Sequence, residues 1–362
     1  MAIATSPLIL AGFRPQLPVA EPTSAIESPA ENTIAQTVLE GLTRKHKQLP
    51  PWLFYDAAGS ALFDRITDLP EYYLTRTERI LFQAHAGEML AVAAGDSTDT
   101  PRRLALVELG AGSADKTRTL LAAALKQQGT VRYLPVDVSP SALELACCRI
   151  EQELPGVTTE AVVADYTVEW KLPEPGQTSG NQTGEGRERQ LLLWIGSSIG
   201  NFEPEAAEAL LRRIGSTMQS GDSLLLGVDL APAPGGKCVG ELLAAYDDEA
   251  GVTADFNLNL LTRINRELGA DFNRDNFAHW AEWNQHASRI EMHIESLREQ
   301  HVHIPALNLT VPFAAGEHIH TENSYKYTRE RIASLLDCAG FPVAESWTDE
   351  GEWFAVLLGR KP

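Results

Sequence analysis

The chain has 362 residues, 44% of them hydrophobic and 22% charged, which is enough for two domains or one enlarged domain with a full core. A formal net charge of -19 makes a surface that repels nucleic-acid phosphates and anionic membranes, so neither nucleic acid nor a membrane is expected as a partner. The four cysteines, Cys147, Cys148, Cys238 and Cys338, form no CxxC pair, and no run is long and apolar enough for a membrane span. A disulfide framework is therefore not expected, and the composition suits a cytoplasmic protein.

In chain order, residues 1 to about 32 are rich in Pro, Ala, Ser and Thr and read as a loose extension, without the basic start and apolar run of a signal peptide. A helical pattern follows from Thr33 to Lys47. Short helices broken by Pro and Gly come next, then a longer helix from Thr75. At Arg103 the character changes: apolar runs alternate with helices through RLALVEL, TRTLLAAALKQQ, VRYLPVDV, SPSALELACCRIEQEL and TTEAVVADY. The runs LLLWIGSSIGNF, SLLLGVDLA and FAVLLGR add further strands, the last after the helix TRERIASLLDCAG. Strands alternating with helices predict a parallel sheet covered on both faces. Lys171–Gln190 reads as a polar, Gly-rich insertion. Between Pro232 and about Ala315 the alternation stops, and this stretch reads as an insertion into the sheet domain.

The turn VELGAGSADKT follows a strand and opens a helix. Gly110 and Gly112 allow a tight turn and close backbone approach to a ligand. The next two strands end in Asp137 and in Asp165–Tyr166: one acid is placed to accept from ribose hydroxyls, and the other, with its neighbouring ring, to meet an adenine. A dinucleotide fingerprint would carry a third glycine where Asp115 stands. Without a pyrophosphate to cradle, that glycine is not needed, which favours S-adenosylmethionine (SAM) over NAD.

Near the end lies EHIHTENSYKY, Glu317 to Tyr327. Taken alone it fits a solvated loop; taken as extended, it puts Glu322 and Ser324 on one face, able to reach one small ligand together. His301 with His303, and His318 with His320, alternate like metal ligands. No nearby Cys or HExxH supports them, and no metal is expected.

The segments FYDAAGSALFDRITDLPEYYLTRTE, ELGAGSADKT, LPVDVS, GSSIGNF, LLGVDL, AYDDEAGVTADFN and HTENSYKY together resemble the histidine Nα-methyltransferase family of ergothioneine biosynthesis over roughly residues 40–362. The resemblance implies an α/β fold: a Rossmann-like class I methyltransferase sheet (residues 76–233 and 326–362) with a second, discontinuous substrate-binding subdomain (33–75 and 234–325). It implies SAM surrounded by Tyr55, Gly110, Lys116, Asp137, Asp165 and Tyr166. For free L-histidine it implies a carboxylate held by Tyr72 and Asn201, walls of Phe63, Gly196, Tyr246, Thr253 and Met292, and an imidazole received by Glu322 and Ser324. Tyr166 stands where a phenylalanine is expected in a bacterial relative, and Asn323 where an apolar residue is more usual. No residue is identified as a dedicated base, and a monomer is expected. Two other readings are a methyltransferase for another amino acid or an indole amine, and a non-catalytic SAM-binding regulator.

Overall fold

The computed structural model describes residues 30–95, 102–168 and 188–362. The expected N-terminal extension, up to residue 29, and the expected insertion Lys171–Gln190, up to residue 187, lie outside the described residues.

The first half runs α1 (Ala30–Thr43), β1 (Lys47–Gln48), α2 (Ala57–Thr67), α3 (Tyr73–Ala94), β2 (Leu104–Leu109), α4 (Thr117–Gln128), β3 (Val131–Asp137), α5 (Pro140–Glu153), β4 (Val157–Thr159), β5 (Val162–Val163), β6 (Arg189–Trp194), α6 (Pro204–Thr217) and β7 (Ser223–Asp229). The second half runs α7 (Val239–Ala244), α8 (Val252–Leu268), β8 (Phe277–Asn284), β9 (Arg289–Ser296), β10 (Gln300–Ile304), β11 (Leu309–Phe313), β12 (His318–Tyr325), α9 (Arg329–Cys338), β13 (Val343–Thr348) and β14 (Phe354–Arg360).

The large sheet has the order β13-β14-β7-β6-β2-β3-β4, with β5 also on β3. Strands β2, β3, β4, β6 and β7 are parallel, and β14 enters antiparallel beside β7. All six residues of LALVEL in β2 are buried, as a strand covered on both faces requires. Leu104 and Leu106 pack with α3 and α4, while Ala105, Val107 and Leu109 pack with α6 and α9. Strand order reverses between β2 and β6. In a doubly wound sheet, the crevice for ligand opens at the carboxyl ends beside such a reversal.

The stretch read as an insertion, Pro232 to about Ala315, contributes strands of its own. Its β8 and β9 join β1 and β12 in a second sheet, β1-β12-β9-β8, and it adds the hairpin β10-β11. One face of this sheet, carrying Ile290, Met292, Ile294 and Ile319, packs with Phe256, Leu260 and Leu261 of α8. The segment Glu317–Tyr327 is thus mostly strand, not a solvated loop, because β9 and β1 flank it on either edge. The same pairing ends α1 earlier than the expected Lys47. Lys47 and Gln48 leave the helix to lie parallel to Ile319 and His320, and Lys47 pairs with Glu317.

A register shift lies between His320 and Glu322. Opposite His320 is His293, and opposite Glu322 is Met292, its immediate neighbour on β9. Adjacent strand residues face opposite ways. The extra residue, Thr321, therefore turns Glu322 to the inner face while His320 stays on the outer one, as a β-bulge does. Thr321 is fully buried and donates to the Met292 carbonyl at 3.0 Å.

Candidate active site

The nucleotide-type crevice is built by three strand ends. After β2 the chain turns through Gly110 (φ 66°) and Gly112 (φ 50°). The amides of Gly110 and Ala111 donate to the Val136 carbonyl at 2.8 and 3.1 Å, which folds the turn against β3. Asp137, at the tip of β3, accepts from the amides of Gly112 and Ser139, both at 3.0 Å, so its carboxylate is locked at the mouth of the turn. A Cβ on Gly110 would lie 3.7 Å from the Tyr166 ring, whereas one on Gly112 would meet nothing within 4 Å. The two glycines thus leave an open cradle floored by backbone and walled by a ring. Burial pushes the Tyr166 hydroxyl up to about 12, and the ring packs edge-on against Trp194. Asp165 is exposed; one oxygen is turned onto its own loop, accepting from the Thr167 amide and hydroxyl at 2.8 and 2.6 Å. Beneath the turn, buried Glu108 accepts from Thr117 at 2.6 Å and from Tyr133, tying the first residue of α4 to β2 and β3.

Lys116 leads from this crevice towards the second. Its ammonium donates at 2.7 Å to Glu78, which is fully buried on α3. The other Glu78 oxygen accepts from the Gly196 amide at 2.8 Å. A Cβ on Gly196 (φ 76°) would sit 2.6 Å from the Lys116 nitrogen, so glycine is required here for both conformation and space. Glu78 ends the segment FYDAAGSALFDRITDLPEYYLTRTE, but nothing in the sequence assigned it a role. Its partners lie 38 and 118 residues away, and only the fold shows it as the joint between the two crevices.

The second crevice lies between the sheets. All nine residues expected around an amino-acid substrate line it: Phe63, Tyr72, Gly196, Asn201, Tyr246, Thr253, Met292, Glu322 and Ser324. Tyr55, expected at the cofactor, also opens onto this pocket and is 43% exposed at its rim. Ile66, Leu74, Ser197, Ser198, Ala245 and Phe256 complete the lining and were not anticipated. Each side chain is set by local chemistry. Asp56 caps α2 by accepting from the Gly59 amide at 2.7 Å, which orients the helix bearing Phe63. Tyr72 stands at the N-terminal boundary of α3. Asp248 accepts from the amides of Val252 and Thr253 at 2.9 and 2.7 Å, fixing the first turn of α8. Asn201 closes the turn after β6, which presses on β12 because Gly200 offers no side chain; a Cβ there would lie 2.7 Å from the Tyr325 carbonyl oxygen.

Behind the pocket is a buried ionic network. Asp229, at the end of β7, pairs with Lys237 and, at 2.8 Å, with Lys326, and all three side chains are fully buried. Tyr73 donates to Asp229 at 2.8 Å. Lys326 also donates to the Tyr246 hydroxyl at 2.7 Å and to Ser324 Oγ at 2.9 Å, and these two oxygens are 2.8 Å apart. Each hydroxyl thus accepts from the ammonium, and one donates to the other. One hydroxyl proton is left to point into the pocket.

Glu322 lies opposite this donor. It makes no hydrogen bond to any described residue, and burial raises its pKa to about 7, with the Lys326 ammonium pulling the other way. A lone acceptor of tunable charge and a fixed hydroxyl donor therefore face one small space.

Strand order, glycine turn and acid-tipped strands together define a Rossmann-like α/β fold of the SAM-dependent methyltransferase type. The family model described as "Histidine-specific methyltransferase, SAM-dependent" matches residues 34–361. The histidine N-alpha-methyltransferase of Mycolicibacterium smegmatis is 42% identical over 335 residues, covering 92% of this chain and 96% of that protein. That of Mycobacterium tuberculosis is 40% identical over 330 residues, covering 91% and 95%. Ergothioneine biosynthesis protein 1 of Neurospora crassa is 28% identical over 320 residues, covering 87% of this chain and 33% of that protein. The chain belongs to the histidine-specific, SAM-dependent methyltransferase family. It is an enzyme, and its cofactor is SAM. No described helix is long and apolar enough to cross a membrane.

Proposed function

We propose that this enzyme methylates the α-amino group of free L-histidine three times, giving the histidine betaine hercynine, the first step of ergothioneine biosynthesis. The observation that carries the reading is the pairing of Glu322, an acceptor without a protein partner, with the hydroxyl pair Ser324–Tyr246, which retains one free proton. A neutral imidazole has one N–H and one bare nitrogen. Ionised Glu322 accepts from the first, and the free hydroxyl proton goes to the second. An analogue lacking either nitrogen leaves a buried polar group unpaired, which costs about 1–3 kcal/mol.

The open cradle at Gly110 and Gly112, with Asp137 at its mouth, fits SAM. In this reading Gly110, Asp137, Asp165 and Tyr166 hold it, with Lys116 and Tyr55 on the side nearer the substrate. When bound, SAM supplies the electrophilic methyl group. The chain's own residues do the rest. Tyr72 and Asn201 fix the substrate carboxylate, and Phe63, Thr253 and Met292 wall the ring. The aromatic rim of Tyr55, Phe63 and Tyr72 keeps water from the reacting nitrogen. The amine must shed its proton before each transfer. The ammonium of a free amino acid, beside its own carboxylate, is less acidic than a peptide N-terminus, so the neutral amine that attacks is a minor form whose proton passes to water, with no dedicated base assigned. With both ends of the substrate anchored, the nitrogen can gain bulk while its position is kept.

The test is a panel of free amino acids and indole amines assayed for methyl transfer from labelled SAM. Histidine is expected to be preferred and to give mono-, di- and trimethylated products. A preferred indole amine would support a methyltransferase of another specificity, and binding without product would support a regulator.

A further inference from the structure

The outer face of the second sheet carries a cluster that the substrate pocket does not use. His293 on β9 points away from the pocket, back to back with Met292. It retains only 9% of its surface, and neither ring nitrogen has a hydrogen-bond partner. An orphaned, buried imidazole is costly unless something else occupies its lone pair. Its Nε2 instead faces two carboxylates, at 3.5 Å from Glu291 and 3.7 Å from Glu282 on β8. These separations exceed the roughly 2.7–3.2 Å of a hydrogen bond. They are close to the spacing of two ligands on one tetrahedral ion: bonds of about 2.0–2.2 Å at a tetrahedral angle put donor atoms about 3.4 Å apart.

The surroundings match those of ligating groups. The second Glu291 oxygen is held by Asn284 at 2.7 Å and Arg289 at 2.8 Å, which aims the first at His293. Such outer-shell bonds are what orient metal-ligating carboxylates. The His318 and His320 rings stand 5.3 and 5.1 Å from the His293 ring, centre to centre.

We propose that Glu282, Glu291 and His293 form a site for a divalent transition-metal ion of the zinc class, stapling β8 to β9, with the remaining position left to solvent. One nitrogen and two oxygen donors, without sulfur, suit zinc or cobalt better than copper(I). The expectation from sequence was no metal, resting on the pairs His301–His303 and His318–His320. The three ligands come instead from two strands whose pairing the sequence did not reveal.

The test is a titration of the tag-free, fully reduced chain with Co(II), read by visible absorption and equilibrium dialysis, and with Zn(II), read by thermal shift. Thiolate charge-transfer bands separate any binding at the four free cysteines. The wild type is expected to bind one equivalent with tetrahedral nitrogen and oxygen ligation, and its Tm to rise with Zn(II). Losing an outer-shell partner already weakens metal sites by about 10–100-fold, so Glu282→Gln and His293→Gln should each cost at least that. If His293→Gln does not fold, the half-exposed Glu282→Gln decides alone. Equal Co(II) affinity in wild type and variants, or no site free of thiolate bands in the wild type, would overturn the proposal.

Discussion

Glu322 stands in the pocket without a protein partner, so its worth to binding can be read directly. A charge-assisted hydrogen bond to a buried ring nitrogen contributes about 1.5–3 kcal/mol, roughly ten- to a hundredfold in affinity. Glu322→Ala is therefore expected to raise KM for histidine by that factor and leave SAM affinity nearly unchanged. Adding Met292→Val, which widens the wall on the strand opposite, is expected to move kcat/KM towards tryptophan. A fixed histidine-to-tryptophan ratio in the double variant would remove Glu322 from imidazole recognition. Its titration gives a second reading. A carboxyl whose pKa rises from 4.5 unfolded to about 7 folded binds more protons in the native state across that window, so the ligand-free protein loses stability as pH climbs from 4.5 to 7. Glu322→Gln should thus be more stable than wild type at pH 8, by about 1–2 kcal/mol after discounting for solvent in the pocket, and equal to it near pH 4.5. Denaturant unfolding at the two pH values checks this; an unchanged difference would place the raised pKa elsewhere. Glu322 and Ser324 were legible because strand alternation puts i and i+2 on one face. Lys326, Asp229 and Glu78 were not. Each is a common residue type whose meaning comes from a partner distant in sequence, as with Lys326 and Asp229, which are joined only when the segment after β12 runs beside the end of β7.

At the scale of elements, alternation alone would have misplaced the strand it seemed to explain. With Ile319 buried on the inner face, strict period two puts Glu322 outward beside His320. The bulge at Thr321 corrects the phase, and no local signal marks it; Thr is as acceptable in a regular strand as in a bulge. The turn after β6 was more readable, since GSSIGN ends an apolar run with turn residues. Its energetics reside in Gly196. A left-handed backbone costs an L-residue about 1–2 kcal/mol, and the added methyl would collide with the Lys116 ammonium. Gly196→Ala is expected to lower stability by at least that amount and, by displacing Lys116 from Glu78, to weaken SAM and histidine binding together. Calorimetric titration of each ligand checks it. Loss confined to histidine would mean that the Glu78–Lys116 pair does not couple the two crevices.

At the scale of the whole molecule, the parallel sheet was open to reading because β2, β3, β6 and β7 are short, largely apolar runs each followed by a helix, and burial on both faces demands that composition. The antiparallel sheet was hidden by its mixed faces: β8 mixes Trp, His and Glu with Ala and Asn in no strict order, and β12 shows histidines outward and a carboxylate inward, so neither carries a run of apolar residues. Yet it is this second sheet that brings Glu322, Ser324 and Met292 to the pocket, opposite Gly196 and Asn201 from the large one. A substrate touching both is expected to draw them together, since bridging contacts form only when the walls approach. The rim supports this: Tyr55 is 43% exposed while its edge contacts Phe63 and Phe256, so it has surface left to bury on closure. Solution scattering on the chain alone, with S-adenosylhomocysteine, and with S-adenosylhomocysteine plus histidine checks the expectation. The radius of gyration should fall most in the third state, and Tyr55→Ala should reduce the fall while leaving Glu322 in place. Superimposable profiles in all three states would mean that the pocket is preformed, and that discrimination against larger rings rests on the static wall of Met292 and Phe63.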